Sequence, residues 1–239
     1  MSDNNHADGN GTTITCSACA LRRVCFQLTR ASGQADLLER LICRSGPHPT
    51  GSVIAGDDGV LALGVVRSGA VVAEHSGRGT VRSVSVYLPG ELFGFEAFGD
   101  GRTPRYVATE PVFLCRLPVE PTVEAGEAVA CEVIQLAGKM FAHQRNQLEA
   151  LRNGDAATRV AGWLLDISRR WARSGRSAQR FPLPVTRQRW AAMIGLAPGT
   201  LSRILARLEE LGIARFHRHQ VDLLDAEALA AMAGMTTAH

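Results

Sequence analysis

No apolar run in this 239-residue chain approaches the roughly 18 residues of a membrane span, because Arg67 interrupts the most hydrophobic stretch. Met1 to Thr15 has neither a basic n-region nor an apolar h-region, so no signal peptide is read and a cytoplasmic protein with no membrane partner is expected. Charge of one sign is missing too: the net is only +3, so no whole-protein field announces a ligand. There is no internal repeat, no nucleotide-binding glycine loop and no clustered acid/base pair, and His75, His143, His217 and His219 are dispersed. These absences argue against an enzyme. Lysine is nearly lacking as well, with Lys139 alone, and its replacement by arginine is read as genome composition. What is present is 46% hydrophobic residues, ample for a packed core, and six cysteines. In a reducing compartment a core of this size needs no disulfides, so metal binding or redox chemistry is the better reading of clustered cysteines.

Charge is unevenly placed. From Asp155 onward the chain carries 12 arginines against 7 acidic residues, a net of +5, whereas the first 154 residues net −2. A basic C-terminal third on a near-neutral body fits a nucleic-acid module attached to a second unit. Polar residues 1–15 read as disordered. A short helix is expected around Asp36–Ile42. Residues 47–118 then turn to short β runs punctuated by glycines, with strands expected at Val60–Val66, Ala70–Ala73 and Val112–Leu117. Val84, Val86 and Leu88 alternate with polar neighbours at the period of a half-buried strand. This pattern predicts a small antiparallel barrel or jelly roll. Residues 124–153 read as one long helix ended by Gly154, on which Ile134, Phe141, Leu148 and Leu151 make an a/d-like seam suited to a two-fold dimer. The division expected is 1–15, 16–123, 124–154 and 155–239, an α+β chain.

In the last segment Asp155 is placed to cap a helix burying Val160, Trp163, Leu164 and Ile167. Thr186 to Gly212 then fits a helix-turn-helix. Thr186 caps a first helix that buries Trp190, Ala191 and Ile194; Gly195 makes the turn; Pro198 pre-sets φ for a second helix burying Leu201, Ile204, Leu205 and Leu208. Thr200, Ser202, Arg203 and Arg207 remain on the outer side. An arginine there can bond guanine O6 and N7 together, hydroxyls suit phosphates or bases, and Arg187, Arg189 and Arg207 suit the DNA backbone. Ala214–Leu223 reads as a hairpin wing with a basic tip.

Cys16, Cys19 and Cys25 follow a C-x2-C-x5-C spacing at the edge of the polar N-terminus. Thiolates are soft ligands for iron–sulfur clusters and zinc, and short spacings let one loop wrap one centre. A fourth thiolate must come from Cys43, Cys115 or Cys131, among which spacing does not choose. Residue types weigh iron–sulfur and zinc equally. A redox dithiol is disfavoured because no βαβ pattern surrounds the pair.

Taken together, residues 16–235 resemble the Crp/Fnr superfamily, and specifically its Fnr branch of anaerobic regulators. The marks are the cysteine spacing, Arg67-Ser68-Gly69, Pro89 to Ala97 (PGELFGFEA), Cys115 near the end of the β region, Leu165 to Arg170 (LDISRR) and Thr200-Leu201-Ser202-Arg203. The resemblance implies a β-roll sensor domain of the cyclic-nucleotide-binding type, a dimerisation helix and a winged helix-turn-helix. It implies a [4Fe-4S] cluster on Cys16, Cys19, Cys25 and Cys115 that favours dimerisation, and loss of DNA when oxygen attacks the cluster. Ser202 and Arg203 match the family's base-contacting positions; double-stranded DNA at a palindromic promoter site, a homodimer partner and RNA polymerase follow as partners. On the dimer helix Ile134, Phe141, His143 and Leu148 are the residues implicated, His143 standing where the best-known member carries an acid.

The chain departs from the family at two places. Gly199 replaces a base-reading glutamate and offers no acceptor, so the resemblance does not extend to that position of the TTGAT half-site. Ala197, where a threonine cap is common, cannot cap. A cyclic-nucleotide effector is the nearest rival: Gly90-Glu91-Leu92 keeps part of a phosphate cassette, but Arg102-Thr103-Pro104 stands where an Arg-Ser/Thr-Ala element is needed. Zinc, a thiol switch or a small ligand in place of the cluster is the remaining alternative.

Overall fold

A computed structural model describes residues 16, 19–23, 40–55, 62–77, 80–95, 104–118, 127–152 and 154–234. Residues 1–15, read as disordered, lie outside that set, as do Cys25 and all of the expected Asp36–Ile42 helix but its last residues.

The N-terminal part is two four-stranded antiparallel sheets. The first has the order β1 (Cys43–His48), β8 (Val112–Pro118), β3 (Ala62–Ser68), β6 (Leu92–Phe93); the second has β2 (Val53–Ala55), β7 (Arg105–Ala108), β4 (Val71–Gly77), β5 (Thr80–Tyr87). The expected strands appear as β3, β4, β5 and β8. The shorter β1, β2, β6 and β7 have no period long enough to read. Alternation along each strand sorts side chains to two faces. Val66, Phe93 and Leu114 of the first sheet meet Val71, Ala73, Tyr87, Tyr106 and Ala108 of the second inside the roll. Tyr87, Phe93 and Tyr106 fill that interior with centroid separations of 4.8–6.1 Å. Gly64 is required there, because a Cβ would lie 2.3 Å from the Phe93 ring.

The two outer faces are covered differently. Outside the first sheet, Leu63, Val65, Leu92 and Leu117 pack with Ile42 and with Val133 and Leu136 of the long helix α1 (Glu127–Arg152). Outside the second sheet, Ala70, Val72, Val86 and Leu88 join one continuous core with the C-terminal helices. That core belongs to α2 (Ala156–Arg173), α3 (Arg187–Met193), α4 (Pro198–Glu210) and α5 (Ala226–Met232), with a three-stranded sheet of β9 (Arg180–Pro182), β10 (Ala214–His217) and β11 (Gln220–Leu223) in the order β10-β11-β9. The caps read from sequence are present: Asp155 Oδ1 accepts from the Thr158 N–H at 2.8 Å and Thr186 Oγ1 from the Arg189 N–H at 3.3 Å. The Thr158 backbone and side-chain hydrogen bonds hold the Asp155 carboxyl below the usual carboxylate range. Strand β9 and helix α5, the latter capped by Asp225, were not anticipated.

One buried arginine fastens the two halves. Arg170 on α2 donates through Nε to Glu91 at 2.7 Å and through Nη1 to Asp166 at 3.1 Å, and also bonds the Val86 carbonyl. Glu91 in turn accepts from the Leu88 N–H at 2.9 Å. Burial opposes the charge on Arg170, but the two carboxylates outweigh it and hold the guanidinium protonated. No helix among the described residues is long and apolar enough to cross a membrane.

Candidate functional site

Cys16 and Cys115 meet on the outer face of the first sheet. In the β1–β8 register Arg44 stands opposite Cys115, and Val65 of β3 stands opposite Cys115 on the other side. Cys43 pairs with Arg116 and so belongs to the opposite face. Cys16 packs from the N-terminal segment on the same apolar wall as Cys115, formed by Ile42, Leu63, Val65, Leu92 and Leu117. The Cys19 N–H bonds back to the Cys16 carbonyl at 3.3 Å. A short 3-10 turn, Ala20–Arg23, follows with Leu21 buried. Cys131 is exposed on α1.

Charge around these thiols is specific. Burial pushes the Cys115 thiol up to about 11; Arg67 pulls it down, Cys16 raises it further, Arg44 lowers it and Cys19 adds a smaller rise. Arg44 Nη2 approaches the Cys16 sulfur at 3.8 Å. Arg67 lies over the Phe113 ring, 5.9 Å from its centroid. Among the described residues no three candidate ligands converge to metal-binding distance, and Cys25 lies outside them. The donor set still fits a thiophilic centre: soft sulfur ligands, half-buried, on one apolar wall, where a thiolate is costly unless a cation or metal balances it. The two arginines had no sequence signal, since neither is close in sequence to a cysteine it serves except Arg44 to Cys43, which faces away.

Helix α1 connects that wall to the outside. Val133 and Leu136 pack on the thiol-bearing cluster, whereas Ile134 is 69% exposed and Phe141 59% exposed. Ile134 and Phe141 are two of the four residues of the seam read from sequence, and both are left in solvent. His143 and Leu148 lie on the same helix, with side chains outside those described.

At the other end, α3 and α4 form the helix-turn-helix. Trp190, Ala191, Ile194, Leu201, Leu205 and Leu208 are buried as expected, Ile204 only partly. Trp190 stacks on Trp163 at 4.5 Å, locking α3 to α2. Gly195 adopts φ +67 in the turn, a conformation open to glycine at little cost. Helix α4 starts at Pro198 with no side-chain cap from Ala197. Ser202, Arg203, Arg207 and Arg187 are exposed and Thr200 half-exposed. Arg203 folds back along its own helix, with Nε 3.4 Å from the Gly199 carbonyl and Nη2 3.4 Å from Thr200 Oγ1. Arg207 pairs with Glu210 at 3.1 Å, an exposed contact worth little. Arg189, expected at the DNA backbone, is instead 2.6 Å from the buried Glu74 of β4. It sits on the α3 face that docks on the β-roll, a placement that the local pattern did not reveal. In the wing, Gln220 and Arg180 donate to Asp222 and His217 lies 3.3 Å away; the Gln220 bond first, then Arg180 and His217, hold that carboxyl below its usual range.

Residues 158–232 match the Crp-like helix-turn-helix domain family. Over 233 residues the chain is 28% identical to the fumarate and nitrate reduction regulatory protein of Salmonella typhi, covering 95% of this chain and 93% of that one. It is 27% identical over the same length to the protein of that name from Escherichia coli K12. Among solved structures it is similar in fold to FixK2 from Bradyrhizobium japonicum, with a TM-score of 0.70 and 23% identity over 83% of this chain and 99% of that one.

Proposed function

We propose that this chain, whose residues 158–232 match the Crp-like helix-turn-helix domain family, is a transcription regulator of the Crp/Fnr superfamily that binds a palindromic promoter site as a homodimer under control of a [4Fe-4S] cluster on Cys16, Cys19, Cys25 and Cys115. The match of residues 158–232 to a Crp-like helix-turn-helix domain supports DNA as the ligand. The observation that carries the reading is the shared wall: Cys16 and Cys115 pack on the same apolar cluster as Val133 and Leu136, one helix away from the exposed Ile134 and Phe141. Whatever holds the thiols together bears directly on the helix that meets the partner.

When bound, the cluster supplies four thiolate links and an oxygen-labile redox centre. The chain's own residues do the rest. Cys16, Cys19 and Cys25 present sulfur from the N-terminal segment and Cys115 from β8, with Arg44 and Arg67 offsetting their negative charge. Val133 and Leu136 seat α1 on that site; Ile134 and Phe141, with His143 and Leu148 further along, form the seam. Dimer population then sets DNA affinity by mass action. Thr200, Ser202 and Arg203 face the bases, Arg187 and Arg207 hold phosphates, and RNA polymerase is the partner at the promoter. The relatives' names, which refer to fumarate and nitrate reduction, support a role in anaerobic gene control. A cyclic nucleotide is no effector in this reading, because Tyr87, Phe93 and Tyr106 fill the roll; calorimetry finding a micromolar cyclic AMP site overturns that part.

The decisive experiment is an optical spectrum with iron and sulfide analysis on protein purified without oxygen, repeated after air is admitted. Broad visible absorption with about four iron and four sulfide per chain, bleaching in air, is expected. A colourless chain after anaerobic reconstitution transfers the signal to zinc, a thiol or a small ligand.

A further inference from the structure

We propose that Arg44 is the positioning residue of the thiolate site: it ties the N-terminal cysteine segment to the β-roll by bonding the Cys16 sulfur while standing opposite Cys115. The inference rests on the cluster reading above for its function, and on geometry for its substance. The site is built from two pieces of chain with no covalent reason to meet, the N-terminal segment at Cys16 and the outer face of β8. A hydrophobic wall brings them together but sets no fixed distance, because apolar contact is non-directional.

Arg44 supplies direction. Its Nη2 lies 3.8 Å from the Cys16 sulfur, and the antiparallel register sets it directly across from Cys115. A guanidinium is planar, permanently charged and carries five donors in a fixed fork, so one side chain can serve two sulfurs from one rotamer. Arg67 contributes charge at the same place but comes from β3, which is separated from β1 by β8, and its guanidinium stands over the Phe113 ring. Cys43, the immediate neighbour of Arg44, faces the other way, so the strand presents a cation and not a thiol to the site.

Hydrogen bonds to ligating sulfurs and local positive charge are among the factors that set the potential and stability of iron–sulfur centres. Loss of Arg44 therefore exposes the sulfurs to a less compensated, less ordered environment. Removing such an outer partner costs about 10–100-fold in metal affinity elsewhere, and the same range is expected here.

Two readouts test this on the full chain. The first needs no cluster: apo-protein is treated with dibromobimane, which bridges neighbouring thiols, and the Cys16–Cys115 bridge is quantified by mass spectrometry against the Cys16–Cys19 bridge. Arg44→Ala is expected to lower the ratio several-fold and Arg44→Lys to restore part of it, with circular dichroism confirming an unchanged fold. The second is the anaerobically reconstituted chain, where Arg44→Ala is expected to bleach faster in air and to need more iron for half-loading. A coloured wild type in which neither bridge ratio, bleaching nor loading depends on Arg44 overturns the inference. A colourless wild type whose bridge ratio still falls in Arg44→Ala overturns the cluster reading instead, and keeps Arg44 as the residue that holds the two thiols.

Discussion

At Gly199 an added Cβ meets nothing within 4 Å, and the residue occupies the first turn of α4. A glutamate fits there sterically, favours the helix over glycine and suits the positive end of the helix dipole. Gly199→Glu is therefore expected to leave the fold intact while changing operator preference toward the family's half-site, measured by competition binding with half-site variants. Unaltered preference removes position 199 from base readout. Arg203 lies one helical turn further on with its guanidinium only loosely bonded to its own helix; Arg203→Ala is expected to lose about 1–3 kcal/mol of specific binding if it reads guanine, with non-specific binding little changed. At the thiols, register separates two cysteines that spacing left equivalent. Cys115→Ala should abolish visible absorption and anaerobic DNA binding together, whereas Cys43→Ala, on the other face of β1, should be mild. Equal effects would move the fourth ligand.

Among the elements, α1 was the most legible from sequence, and the proposed dimer depends on it. Its length and seam were readable because a 3.5-residue repeat survives without knowledge of what it packs on. Its inner contact was not: Val133 and Leu136 lie off the a/d pattern and gain meaning only from the sheet beneath them. Phe141→Asp places a charge in the exposed seam without touching that inner contact. Sedimentation should then show a monomer even with the cluster loaded, and operator affinity should fall with it. Persistence of the dimer would relocate the interface. The helix-turn-helix was equally legible, since caps, a glycine turn and paired apolar faces are local signals. Strand β9 and helix α5 were missed because three strand residues and two helical turns carry too little periodicity.

In the whole molecule, the β-roll and the DNA-reading half share one core and two charged ties. Arg170 is 3% exposed with two carboxylate partners. Arg170→Ala leaves Glu91 and Asp166 without their cation and is expected to cost about 3 kcal/mol, the lower end for a buried pair because both carboxylates retain some solvent. Urea denaturation measures it, and Arg170→Met with Glu91→Gln should recover much of the loss, since glutamine still accepts from the Leu88 N–H. The second tie has a functional reading. Glu74 is buried and holds Arg189, a side chain on the first helix of the DNA-binding motif. In Glu74→Gln that arginine is released toward phosphate, so the slope of log K against log salt should steepen by about 0.9 per added contact. Anisotropy titrations across salt that show an unchanged slope place Arg189 away from DNA in the complex.

Local chemistry was written along the chain: the alternation of β5, the caps at Asp155 and Thr186, the turn at Gly195, the seam of α1 and the C-x2-C-x5-C spacing each depend on neighbours a few residues away. The marks of the resemblance rest on such short signals, which is why the fold class followed from them. Which outer face of the roll carries the thiols and which carries the DNA-reading half, that Cys115 and not Cys43 shares a face with Cys16, and that Arg44, Arg170 and Glu74 hold the pieces together came from strand register and docking. Those contacts join residues far apart in sequence. Their geometry is set by sheet pairing and burial rather than by any local propensity, so no periodicity records them.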